Sequence, residues 1–173
     1  SPALDSVAFK TAAGTVVGPF LTQNVYEIAK VIAVKNSPDS VNASHILINP
    51  ATEGGVDKAM AKADSIKNLI QGGANFAALA VEFSADPNSK NDAGEIGTLT
   101  RGAFPELDET LFEGKAGDVK VVSTNYGVHI VKINRQIGNS QIAKLAIVDK
   151  SINSGKETTD AAYSKANQFF TAA

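Results

Sequence analysis

Leu4, Asp5, Phe9, Ala13, Gly14 and Val16 recur as Leu107, Asp108, Phe112, Ala116, Gly117 and Val119, a constant offset of 103 residues. One residue later in the register, Ile28 and Lys30 answer to Ile130 and Lys132, and then Ser40 and Ala43 to Ser140 and Ala143. A unit of roughly 100 residues, close to the commonest domain size, therefore repeats along the chain. The reading divides it into the tail of one unit at 1–40, a whole unit at 41–135 and the head of a further unit at 136–173. A first residue of Ser rather than Met fits excision from a longer chain.

Composition narrows what such a unit can be. With 43% apolar and 20% charged residues the chain can bury a core and is not a disordered one. A net charge of −2, with no stretch that concentrates Lys or Arg, speaks against a nucleic-acid partner. No apolar run is long enough for a membrane span, so no membrane insertion is expected within these residues, and anchoring of a parent chain is left open. The absence of Cys excludes disulfides, thiolate metal sites and thiol nucleophiles.

Within the whole unit, Ala43 to Ile48 reads as a strand ended by Asn49-Pro50. Val56 to Gln71 carries Ala59, Ala63, Ile66 and Ile70 at helical spacing and closes on Gly72-Gly73. Asn75 caps a helix from Phe76 to Glu82, and Ser84 to Glu95 reads as a polar loop. Pro105 opens a short helix ending near Phe112, and two strands, Lys120 to Ser123 and Val128 to Asn134, flank an Asn125-Tyr126-Gly127 turn. In the flanks, Val16 to Thr22, Tyr26 to Val34 and Ala143 to Asp149 read as strands. Thr158 to Thr171 reads as a helix with Ala161, Ala162, Ala166 and Phe169 or Phe170 inward. The expectation is an α+β fold in which the flanks together form a second lobe of the same kind, the alternative being that the head of one chain completes the tail of another.

The two histidines, His45 and His129, each sit inside a predicted strand among apolar neighbours. A neutral imidazole is one donor and one acceptor, so the pair can satisfy each other and a hydroxyl such as Thr124. On these residues alone, two satisfied core histidines fixing sheet register explain the pattern better than catalysis does. A metal would need a third ligand that neither His nor Cys remains to provide, so no metal and no cofactor is expected. Asp86 before Pro87 reads as a turn former, Asp92 and Glu95 as solvated, and Asn42-Ala43-Ser44 as an unspecific glycosylation pattern. Gly94-Glu95-Ile96-Gly97 lacks the Lys of a phosphate loop.

Together the blocks say more than any one of them. Ala43-Ser44-His45-Ile46-Leu47-Ile48, Phe76-Ala77-Ala78-Leu79-Ala80, Phe83-Ser84-Ala85-Asp86, Gly94-Glu95-Ile96-Gly97, Arg101-Gly102, Gly117-Asp118-Val119 and Tyr126-Gly127-Val128-His129-Ile130 stand in the order and spacing of the parvulins. The stretch from Val41 to Arg135 thus resembles that family of peptidyl-prolyl cis-trans isomerases, and the repeats resemble bacterial envelope chaperone-isomerases of the PpiD and SurA type. The resemblance implies a parvulin-like fold, rotamase activity without a cofactor, proline-containing polypeptide clients and a periplasmic or envelope location. It assigns His45, His129, Thr124 and Asp86 to the catalytic network. Ile96, Phe104 and Leu107 become the wall of a proline pocket, with Phe112 behind them. Leu107 stands where Phe is common, and the segment before it is one residue shorter than in some members. The alternative is a catalytically weak chaperone module that holds unfolded polypeptide in the same groove. The loop Asn49-Pro50-Ala51-Thr52-Glu53-Gly54-Gly55 holds a carboxylate and no base, so no preference for phosphorylated residues before proline is expected.

Overall fold

A computed structural model describes the backbone of residues 2–172 and the side chains of residues 4, 5 and 7–168. In chain order the elements are α1 (Pro2–Ala8), β1 (Val16–Thr22), β2 (Val25–Ser37), β3 (Ser40–Ile48), α2 (Pro50–Glu53), α3 (Val56–Gln71), α4 (Phe76–Phe83), β4 (Glu95–Thr100), α5 (Pro105–Glu113), β5 (Val119–Thr124), β6 (Gly127–Ile137), β7 (Ser140–Ser151) and α6 (Lys156–Ala172). They form two compact units, one from Asn36–Ser140 and one from Ser1–Lys35 with Gln141–Ala173.

The Asn36–Ser140 unit is a four-stranded sheet in the order β4-β3-β6-β5, antiparallel throughout. Because side chains alternate across a strand, each sheet face collects its own apolar set. On one face Ile46, Ile48, Val128 and Ile130 pack with Ala59, Ala63 and Ile66 of α3 and Phe76, Leu79 and Ala80 of α4. On the other, Val41, Ala43, Val131 and Ile133 pack with Leu107, Leu111 and Phe112 of α5. Local chemistry sets the helix starts. The Asn75 Oδ1 accepts from the Ala78 N–H at 3.1 Å to cap α4, and Pro105 occupies the first turn of α5, where its missing N–H is harmless.

The Ser1–Lys35 and Gln141–Ala173 unit holds a three-stranded sheet in the order β1-β2-β7. Its core is Leu4 and Ala8 of α1 with Ala29 and Val31 of β2. The repeat offset reappears in its backbone. Val16 pairs with Lys30 and Val17 with Ala29 as Val119 pairs with Lys132 and Lys120 with Val131. Gly14 and Gly117 share a φ of 92°, and each donates to a strand carbonyl, Val31 at 2.7 Å and Ile133 at 2.8 Å. A register shift between Val17 and Phe20 in β1 takes up the residue that separates the two offsets.

Four elements differ from the sequence reading. α1 and the single turn of α2 were not anticipated, and β4 begins at the end of the Ser84 to Glu95 loop and runs through residues to which the sequence reading assigns no element. α6 is a helix as read, but Ala161, Ala162 and Ala166 are exposed rather than inward, because helical periodicity defines a face without supplying anything to cover it. The side chains of Phe169 and Phe170 lie outside the described residues.

Candidate active site

Alternation along β3 and β6 explains where the histidines sit. Val41, Ala43, His45 and Leu47 share one face of β3, and His129, Val131 and Ile133 share that face of β6. α5 covers the Val41, Ala43 and Ile133 end and leaves the His45, Leu47 and His129 end open. His129 lies opposite Leu47, and His45 opposite Val131, so the two imidazoles are diagonal neighbours on the uncovered part. Both are buried, at 8% and 6% exposure.

The polar groups there form one chain. His45 Nδ1 and His129 Nδ1 are 3.0 Å apart, with the rings 5.2 Å apart and 30° from parallel. His45 Nε2 lies 2.9 Å from Asp86 Oδ2 and 3.1 Å from Ser89 Oγ, and His129 Nε2 lies 2.9 Å from Thr124 Oγ1. An ionised carboxylate can only accept, so His45 Nε2 carries the proton toward Asp86. In a neutral pair His45 Nδ1 then accepts from the His129 Nδ1–H, and His129 Nε2 accepts from the Thr124 hydroxyl. The direction of every bond follows from Asp86.

Asp86 is held ionised by its surroundings. Burial pushes its carboxyl up, but the Ser89 hydroxyl at 2.6 Å, His45, the Asn88 N–H at 3.1 Å and the charge of His45 together bring it down to about 2. Ser84 Oγ accepts from the Asp86 N–H at 3.3 Å and the Leu47 N–H at 3.2 Å, which ties the loop to β3. Burial, and then the charge of His45, push His129 down to about 4. At neutral pH His129 is therefore neutral, as the donor chain requires.

These groups line one side of a cavity of about 900 Å³. Ile96, Phe104 and Leu107 form an apolar wall across from them; Phe104 is 45% exposed and Leu107 is buried behind it. Of the eight site residues read from the sequence, seven line this cavity. Phe112 does not: it is buried in the core under α5, with the Arg101 guanidinium stacked 4.4 Å above its ring. The sequence reading missed Ser89, Ser84 and Asn88. The spacing of Asp86 and Ser89 within one loop was the available signal for Ser89, since a side chain three residues on can reach back to a turn carboxylate.

Gly94 is the other unread participant. Its φ is 73°, its carbonyl accepts from the His45 N–H at 2.7 Å, and a Cβ there would collide with the His45 carbonyl oxygen. The glycine lets the loop that carries Asp86 close against the histidine strand. Among the described residues no group of three or more His, Asp or Glu is arranged to hold a metal ion, and no helix is long and apolar enough to cross a membrane.

Comparison with known proteins points the same way. The family model for the PPIC-type PPIASE domain matches residues 26–137. The foldase protein PrsA of Caldanaerobacter subterraneus subsp. tengcongensis is 37% identical over 100 residues, 57% of this chain and 30% of its own length. The chaperone SurA of Pectobacterium atrosepticum is 30% identical over 141 residues, 76% of this chain and 33% of its own. The solved structure of the peptidylprolyl isomerase PrsA from Bacillus cereus superposes with a TM-score of 0.50 at 27% identity, over 58% of this chain and 36% of that one. The chain spans about a third of the length of the curated relatives it matches.

Proposed function

The chain belongs to the PPIC-type peptidyl-prolyl isomerases, the parvulins, and from that membership we propose that the groove of the Asn36–Ser140 unit catalyses cis-trans isomerisation of X-Pro bonds through His45, His129, Thr124 and Asp86. The observation that carries the assignment is the unbroken chain from Thr124 to Asp86 facing an apolar wall across one cavity.

The barrier to be lowered, about 18–20 kcal/mol, is amide resonance. In the twisted transition state the nitrogen regains its lone pair and the carbonyl loses negative charge, so no bond breaks. Ile96, Phe104 and Leu107 grip the proline ring away from water, which favours the less polar twisted amide over the planar one. An acceleration of about 10⁵ requires about 7 kcal/mol of such differential binding. A carboxylate at Asp86 acts electrostatically and not as a nucleophile: it fixes the tautomers of the pair and the potential at the substrate carbonyl. Phe112 supports the wall from within the core.

The clients are proline-containing polypeptides in the bacterial envelope, the periplasm in particular. The flanks are the tail of a preceding repeat, 1–40, and the head of a following one, 136–173, around an isomerase domain at 41–135. A protease-coupled or exchange-NMR assay on an X-Pro peptide tests the activity. Turnover is expected, and Asp86→Ala is expected to lower kcat/KM by about tenfold or more with the melting temperature little changed, because the residue sits on a loop. Binding of unfolded polypeptide without any turnover would replace this reading with that of a holding module.

A further inference from the structure

Asp86 has no acceptor site left to offer a substrate. An ionised carboxylate presents about four lone-pair positions, and here all are taken. Oδ1 accepts from the Asn88 N–H at 3.1 Å and from Asn88 Nδ2 at 3.2 Å, while Oδ2 accepts from Ser89 Oγ at 2.6 Å and from His45 Nε2 at 2.9 Å. A side chain committed in this way acts on the groove through the groups bonded to it. The bond from Ser89 is the shortest of them.

Ser89 is 3% exposed, although it belongs to a polar loop. Its carbonyl accepts from the Asp92 N–H and the Gly94 N–H, both at 2.9 Å, and the Gly94 carbonyl in turn accepts from the His45 N–H at 2.7 Å. The turn from Ser89 to Gly94 therefore fastens the serine backbone to the histidine strand without help from the Asp86 side chain. A hydroxyl has one hydrogen, and an ionised carboxylate can only accept, so that hydrogen goes to Asp86 Oδ2. The serine lone pairs then face His45 Nε2, 3.1 Å away, and the Nε2–H meets two acceptors and no donor. Ser89 thus acts at both ends of the His45–Asp86 bond: it holds the carboxylate oxygen and it admits one tautomer of the imidazole.

Resting on the isomerase reading, we propose that Ser89 is a positioning residue for the isomerisation, its hydroxyl fixing the Asp86 oxygen that orients His45. Without it a lone-pair site on Oδ2 falls open, the carboxylate can turn toward water or peptide in the groove, and the direction of the chain from Asp86 to Thr124 loses its rigid origin. Burial pushes the Asp86 carboxyl up, and the Ser89 hydroxyl is the foremost of the groups that bring it down to about 2. The titratable groups that face it are His45 of β3 and, behind that ring, His129 of β6.

The test is a double-mutant cycle with a titration beside it. Ser89→Ala is expected to lower kcat/KM on an X-Pro peptide by about fivefold, carried by kcat with KM within about twofold. In the Asp86→Ala background the same change is expected to cost less than about twofold, because the group it acts through is gone. The Asp86 carboxyl carbon, followed by NMR at about pH 4, is expected to stay ionised in the unaltered chain and to gain a protonated fraction in Ser89→Ala. Ser89→Ala removes one oxygen from a buried position and is expected to fold, which circular dichroism checks. Ser84→Ala separates positioning from loop integrity. Ser84 is buried and ties the same loop through the Asp86 and Leu47 N–H groups, so its loss is expected to lower the melting temperature and leave the Asp86 carboxyl signal where it was. A full fivefold loss in the Asp86→Ala background, or an Asp86 signal that does not move in Ser89→Ala, overturns the role of Ser89. Absence of turnover in the unaltered chain overturns the isomerase reading instead.

Discussion

Where β6 carries His129, the equivalent position on β2 is Glu27, and where β3 carries His45, β7 carries Leu145. The hydroxyl in front of them is kept: Thr22 donates to Glu27 Oε2 at 3.3 Å, as Thr124 meets His129 Nε2 at 2.9 Å. The two hairpins share register, the glycine at their entry and the apolar contact with the preceding helix. They differ in the groups presented to the groove side and in what covers the other side. Val128 and Ile130 are fully buried under α3 and α4, whereas Tyr26 and Ile28 at the matching positions are 47% and 43% exposed. The hairpin is thus a scaffold specified by turn residues and one apolar stripe, and the proposed catalytic network is a separate layer of substitutions placed on it.

The sharpest way to break this comparison is through its glycines. Gly94→Ala in the Asn36–Ser140 unit drives a methyl into the His45 carbonyl and against Ala80 and Phe76, at an expected cost of about 3 kcal/mol or more and with loss of turnover. Gly14→Ala in the other unit meets nothing within 4 Å, so only the left-handed backbone resists it, at about 1–2 kcal/mol. Chemical denaturation of both variants would measure the gap, and equal losses would show that the Gly94 contact does not matter.

Exchanging the differing residues sharpens it further. His129→Glu, which gives the β5–β6 hairpin the other's residue, removes the donor to His45 and is expected to lower kcat/KM by about 100-fold. Glu27→His is expected to leave turnover within twofold, since Leu145 offers no partner. Retained activity in His129→Glu would dissolve the assigned network.

The smallest effect is a pH slope. Unfolded His129 takes up a proton near 6.5 and the folded residue only near 4, so its contribution to stability is complete above pH 6.5 and is lost as pH falls toward 4. Asp86, lowered to about 2, keeps its contribution above about 3.8 and loses it below that. The protein has no other histidine than His45 and His129, both in one unit, so hydrogen exchange resolved by residue should weaken between pH 6.5 and 4 in Asn36–Ser140. His129→Asn is expected to flatten that slope, and an unaltered slope would place its origin elsewhere.

Local rules made much of this legible. α3 runs from Val56 to Gln71 as its apolar spacing and bordering glycines indicate, and Asn75 caps α4 by the bond its position implies. β4 was illegible because it lies at the sheet edge with only Leu99 buried, so it has no alternation to read. Asn49 and Pro50 end a strand, and the same two residues cap and open α2. Ser89 reads as one more polar loop residue until the fold brings it to His45, 44 positions away in the chain. Such partners are set by tertiary contact and leave no periodic trace.

The ends of the Asn36–Ser140 unit meet: Ser40 pairs with Ile137, and the Asp39 N–H donates to the Ile137 carbonyl at 3.0 Å. β2 and β7, which belong to one sheet, are separated in sequence by that whole unit. Pairing them in an unfolded chain would require closing a loop of about 100 residues, while a folded insert reduces the closure to a handful of residues at its base. The entropic saving is about 2–3 kcal/mol, from the logarithmic growth of closure cost with loop length. The Asn36–Ser140 unit is therefore a clasp as well: once it has folded, two distant stretches of chain are delivered side by side, and the second sheet is assembled as a nearly local event.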